Sequence, residues 1–176
     1  MATREIDGTT LELTSGDITK QPDVDAVVNA ANAQLESGGG VAGAIHRAAG
    51  PGLVQECRPL APIRPGQAVI TSGHNLPNAW IIHTLGPVHG RDEPSDELLA
   101  SCYRESLRVA ADKGATAIAF PAISTGAFGF PMDQAARIAL KTVQKEAPRH
   151  PALTLIRFVL ANERDLSTHE RALESI

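Results

Sequence analysis

The chain has 176 residues, 43% hydrophobic and 20% charged, which is enough for one domain with a packed core over residues 1–176. A net charge of -4 and only 3% aromatic residues argue against a nucleic-acid partner, which needs a basic groove and stacking platforms. No apolar run approaches the ~20 residues that span a bilayer, and the first residues, MATREIDGTT, hold no signal-peptide core, so no membrane partner and a cytoplasmic location are expected.

Thr9 to Thr14 alternates as a first strand, ended by Ser15-Gly16-Asp17. Val24 to Val28 is flatly apolar, the pattern of a strand buried on both faces. The chain then turns polar at Asn29 and Asn32 and reaches Gly38-Gly39-Gly40. A helical pattern, Val41 to Ala49, follows and is stopped by Gly50-Pro51-Gly52. Leu53 to Arg58 reads as a short helical continuation, and Pro59, Pro62 and Pro65 make a stiff connector. Gln67 to Thr71 and Trp80 to Leu85 read as strands around the turn Gly73-His74-Asn75, followed by a loop, Pro87 to Pro94. Ser95 is a candidate N-cap, with Asp96 and Glu97 in the first turn of a helix that runs to Gly114. Thr116 to Phe120 predicts a buried strand, Pro121 to Pro131 a loop, and Met132 to Glu146 a helix ended by Pro148. Leu153 to Leu160 predicts a last strand and Leu166 to Ile176 a terminal helix. Alternating strands and helices predict an α/β fold with helices on both faces of a sheet.

Ligands of such folds lie beyond the carboxyl ends of the strands. Ser15-Gly16-Asp17, Asn29 to Gly40 and Ser124 to Gly129 each follow a predicted strand. At Gly38 to Gly40 no Cβ blocks an approaching group, and the next helix offers unpaired N–H groups and the positive end of its dipole. That construction favours an anion, most often phosphate. The second loop, Ser124-Thr125-Gly126-Ala127-Phe128, is suited to cradle a diphosphate through successive backbone N–H groups.

Gly38 to Gly43 formally satisfies G-x-G-x-x-G, but the glycines come too long after the strand and no acid stands near Ile63, so a dinucleotide-binding reading is rejected. No P-loop is present, and Ser124 lacks the G-x-S-x-G context of a nucleophile. Asp17 reads first as a turn former; its alternative is a carboxylate that accepts from an exocyclic amine. Asn29 and Asn32 either cap a loop or face a ligand. His83 sits in an apolar strand as a core histidine, and His46 reads as a packing or supporting residue. The histidines and the two cysteines, Cys57 and Cys102, show no metal or disulfide spacing, so neither a metal nor an organic cofactor is expected.

Taken in order, Gly16 to Thr19, Val28 to Asn32, Gly38 to Gly50, His83 to Pro87 and Phe120 to Pro131 resemble the motifs of a macrodomain, over about Leu11 to Leu173. The resemblance is closest to the MacroD-type group, which binds ADP-ribose and removes it from acidic side chains of ADP-ribosylated proteins or from O-acetyl-ADP-ribose. It implies a three-layer α/β/α sandwich around a mixed, mostly parallel six-stranded sheet. It implies further that Asp17 meets the adenine amine and the Ile18 backbone the adenine edge. Asn32 would contact the terminal ribose as the catalytic residue, and Gly39, Gly40 and Val41 would lie along ribose and diphosphate. Ser124, Thr125, Gly126, Ala127 and Phe128 would wrap the diphosphate, with Phe128 against the terminal ribose.

Three departures stand out. Ala42 occupies the place of an aspartate that positions the attacking water in MacroD-type hydrolases. Without that carboxylate, the alternative is a non-catalytic reader of ADP-ribosylated proteins. Ile63 to Gln67 replaces a Gly-Cys-x-Thr-Gly loop, and Ala161-Asn162 stands where an aromatic often stacks on adenine.

Overall fold

The computed structural model describes residues 1–176. The strands are β1 (Ala2–Ile6), β2 (Thr9–Ser15), β3 (Ala26–Ala30), β4 (Ala68–Ser72), β5 (Trp80–Thr84), β6 (Ala117–Phe120) and β7 (Leu155–Leu160). The helices are α1 (Gly40–Ala49), α2 (Gly52–Cys57), α3 (Ser95–Asp112), α4 (Met132–Glu146) and α5 (Glu163–Ser175). All strands join one seven-stranded sheet in the order β1-β2-β7-β6-β3-β5-β4. The inner pairs are parallel, while β1 on β2 and β4 on β5 are antiparallel.

The three-layer, mostly parallel architecture is the expected one, with seven strands in place of six. The additional strand, β1, is an edge strand whose residues alternate between half-buried and exposed. Its polar face hid it in the sequence, although Asp7-Gly8, with φ of 48° and 91°, is a two-residue hairpin turn that joins it to β2. No helix is long and apolar enough to cross a membrane.

Side-chain alternation divides the core in two. Val28, Ile82, Phe120 and Phe158 pack on one face with α3, α4 and α5. Val27, Ile81, Ala119 and Val159 pack on the other with Ile45 and Ala49 of α1 and Leu53 and Cys57 of α2. The flat apolar run of β3 thus feeds both layers.

β3 lies two residues later than expected. Asp25 explains the offset, because its Oδ2 accepts from Thr116 N (2.7 Å), Thr116 Oγ1 (2.9 Å) and Ala117 N (3.0 Å), which ties the entry of β3 to that of β6. Ser95 is not the N-cap of α3: Pro94 holds that place, and the Ser95 hydroxyl donates to the Asp92 carbonyl. α5 begins at Glu163 because Asn162 caps it, its Oδ1 accepting from Asp165 N at 2.8 Å.

Candidate functional site

Parallel pairing places the carboxyl ends of β2, β7, β6, β3 and β5 along one rim of the sheet. The loops leaving β2, β3 and β6, with the first turn of α1, carry the residues expected at the site.

The first wall begins at Asn32, whose side chain closes its own loop: Nδ2 donates to Glu36 O (2.8 Å) and Oδ1 accepts from Glu36 N (3.0 Å). Inside that turn, Leu35 adopts φ of 56° while its side chain is fully buried. The chain then backs onto α1. A Cβ on Gly43 would collide with the Gly38 carbonyl oxygen, so only glycine permits this approach. By contrast, a Cβ on Gly39 or Gly40 would meet nothing within 4 Å. These glycines face open space. Gly39 caps α1 without a side-chain bond, and the first turn holds no acid, so the helix presents its N–H groups and dipole unneutralised.

The second wall follows β6. The amides of Ser124, Thr125, Gly126, Ala127 and Phe128 donate to no backbone carbonyl, while Gly129 N and Phe130 N close the loop on Gly126 O (3.0 Å) and Ser124 O (2.9 Å). Its base is pinned from beneath, where the Tyr103 hydroxyl accepts from Ile123 N at 3.1 Å. Thr125 Oγ1 donates to Ala122 O at 2.8 Å. Ser124 has φ of 66°, and its buried, unpartnered Oγ turns toward Gly86, away from any nucleophilic role. His89 N donates to Phe128 O (2.9 Å) and the His89 ring lies 4.5 Å from that of Phe130, so the loop after β5 braces this wall. Phe128 and Val41 pack on the same apolar cluster.

At the far end, Asp17 Oδ1 accepts from Thr19 Oγ1 (2.6 Å) and Thr19 N (2.9 Å), while its exposed Oδ2 has no partner in the fold. The Thr19 hydroxyl, then its amide, hold Asp17 below the ordinary carboxylate range, so it is ionised and acts only as an acceptor. It is therefore a turn former with one oxygen to spare. The Ile18 side chain is buried and its N–H donates to no backbone carbonyl.

Asn29 is not part of the polar loop. It lies within β3, buried, with its Nδ2 3.1 Å from His83 Nδ1, while His83 Nε2 lies 3.0 Å from Thr71 Oγ1. Burial, reinforced by nearby His46, pushes His83 down to about 3, so it is a neutral, satisfied core histidine. His46 is buried with its Nε2 unpartnered. Cys57 and Cys102 are free and buried. No group of His, Cys, Asp or Glu side chains is placed to hold a metal ion.

The replaced loop is tied to its neighbours: Ile63 N donates to Ala33 O (2.9 Å) and Gly66 N to Leu85 O (2.8 Å). Asn162, spent on capping α5, leaves no aromatic at its position. Sequence reasoning gave no structural role to Gly43, Gly86, Tyr103 or His89. Gly86, before Pro87, was the one readable signal; Gly43 acts by a close backbone approach, and Tyr103 and His89 by hydrogen bonds to segments distant in sequence.

Fold and site together define an α/β module with free backbone amides on the segments at the carboxyl rim of its sheet. Residues 28–139 match the Macro domain family, and the chain belongs to it. It is similar to an uncharacterized protein of Fusobacterium nucleatum, 53% identical over 152 residues, which cover 85% of this chain and 87% of that protein. It is also similar to the O-acetyl-ADP-ribose deacetylase of Klebsiella pneumoniae, 46% identical over 169 residues, covering 93% and 96%. The macrodomain of Oceanobacillus iheyensis with ADP superposes with a TM-score of 0.95 at 41% identity, over 99% of this chain and 95% of that one. The Trypanosoma brucei macrodomain in complex with ADP-ribose gives 0.86 at 38% identity, over 93% and 68%.

Proposed function

We propose that the cleft binds ADP-ribose and that the chain hydrolyses ADP-ribosyl esters, releasing mono-ADP-ribose from acidic side chains of ADP-ribosylated proteins and acetate from O-acetyl-ADP-ribose. The observation that carries this reading is that the free amides from Ser124 to Phe128 and the open glycines at the amino end of α1, which has no side-chain cap, follow strands ending at the same rim of the sheet. Peptide dipoles held by the fold grip a diphosphate without reorganising. The diphosphate lies between the walls, Asp17 takes the adenine amine, and Asn32 and Phe128 meet the terminal ribose. For the protein-linked ester, water adds to the anomeric carbon, the bond to the side-chain carboxylate breaks, and one proton is released. Ala42 offers no base, so a substrate phosphate oxygen and nearby backbone groups orient the water. The similarity to a protein named O-acetyl-ADP-ribose deacetylase supports the hydrolytic reading.

Ala42 also favours a second reading, a reader that holds ADP-ribosylated proteins without cleaving them, since a positioned general base is worth ~10²–10⁴ in rate. Release of labelled ADP-ribose from an automodified protein separates the two. Wild type should release it, Asn32→Ala slowly, and Gly40→Glu, which fills the cleft, not at all. Tight binding with no release above buffer leaves only the reader.

A further inference from the structure

Arg157 lies in β7, away from both walls, yet its contacts converge on the loop that carries Asp17. It is 12% exposed and opposite Glu12 in register, with Nε donating to Glu12 Oε2 at 2.9 Å. Its fork grips Asp23 through Nη1 to Oδ1 (2.8 Å) and Nη2 to Oδ2 (2.7 Å). Nη1 also donates to Gln21 Oε1 at 3.0 Å, and Gln21 Nε2 donates to the Asp17 carbonyl at 2.9 Å. A side chain fixed on the sheet is thus tied to the backbone of Asp17, whose second carboxylate oxygen has no partner in the fold.

We propose that Arg157 and Gln21 are positioning residues that aim the Asp17 carboxylate, and thereby set a preference for a 6-amino purine over a 6-oxo purine in the bound nucleotide. This rests on the ADP-ribose reading above. A bidentate arginine–carboxylate pair is directional and holds the loop in one place, which a point charge would not do. The bond between Thr19 and Asp17 is local and moves with the loop, so it sets the turn but not the aim. An ionised carboxylate accepts from an exocyclic amine and repels a carbonyl, so its value as a reader depends on where its free oxygen points.

The test is calorimetry on the full chain with ADP-ribose and with inosine diphosphate ribose. Wild type should favour the adenine ligand by about 10-fold or more, the worth of one hydrogen bond to a charged group. Gln21→Glu keeps an acceptor for Arg157 but has no donor for the Asp17 carbonyl. It should bring the ratio of affinities toward ~1 with the hypoxanthine affinity within about 2-fold of wild type, since the lost term belongs to the amine alone. Arg157→Lys, which keeps the charge and loses the fork, should lower the ratio as well. A general loosening of the fold would weaken both ligands in parallel, which is why the ratio is the readout. An unchanged ratio in both variants, or no preference in wild type, overturns the proposal and leaves the cleft reading standing. No binding of either ligand by wild type overturns that reading and this one with it.

Discussion

Gly86 has no room for a side chain because of Ser124: a Cβ there would collide with the Ser124 hydroxyl and stand 2.7 Å from Ile123 Cγ2. Ile123 is fully buried and pinned by Tyr103, so the second wall rests directly on the backbone that leaves β5. Gly86→Ala should therefore displace the loop, lowering ADP-ribose affinity about 10-fold or more and destabilising the fold by about 1–3 kcal/mol, the usual cost of overpacking. Adding Ser124→Ala should recover part of both losses. Calorimetry and thermal melts read the pair, and a Gly86→Ala protein with wild-type affinity would show that the wall stands independently.

Gly43→Ala probes the first wall. Its Cβ would press on the Gly38 carbonyl group, with Gly38 C at 3.3 Å, and backbone yields less readily than a side-chain tip. Expected are a loss of about 1–3 kcal/mol and weaker binding, with the sheet intact by circular dichroism. Gly39→Ala, where nothing lies within 4 Å, should leave stability nearly unchanged and weaken binding alone.

Asn32 bonds to Glu36 in both directions, so Asn32→Ala removes both bonds and should cost about 1 kcal/mol along with hydrolysis. Asn32→Asp keeps the acceptor for Glu36 N and should recover stability ahead of activity. Equal recovery of both in a melt and a release assay would assign Asn32 to the loop alone.

Ala42→Asp places a carboxylate in the first turn of α1, where none stands. Ala42 is buried, so desolvation of the carboxylate opposes the gain from facing the helix dipole, and stability should not rise with activity. Hydrolysis should rise about 10²-fold or more, within the range for a positioned base, as measured by single-turnover release. A flat rate would mean that the substrate phosphate already does that work.

Burial holds His46, His83 and His169 below the ordinary imidazole range, His83 down to about 3. The unfolded chain takes up protons on these groups near pH ~6.5 while the folded one does not, so stability rises with pH and is lost as pH falls below that value. Each group contributes a slope of up to about 1.4 kcal/mol per pH unit, and for His83 the window extends to about 3. Melting temperature should be level above about pH 7 and fall between ~6.5 and ~4.5, before the carboxylates titrate. His83→Gln should flatten part of that fall. A level profile down to about pH 5 would mean that the buried imidazoles titrate as they do in the unfolded chain.

Hydrophobic period, glycine placement and helix stops determined by themselves the layered α/β class, α1 and α4 nearly to the residue, and the two loops that carry the free amides. These are local properties of the chain, set by backbone freedom and side-chain alternation. What depended on distant partners was out of reach. β1 exists only because β2 accepts it, Asn29 is drawn inside by His83, and Ser95 loses the capping role because Pro94 already holds it. Gly43 and Gly86 became obligatory only when other segments came to rest on them. Only tertiary structure decided that Arg157, far along the chain, holds the loop of Asp17, because a hydrogen bond across that separation exists once β2 and β7 lie side by side.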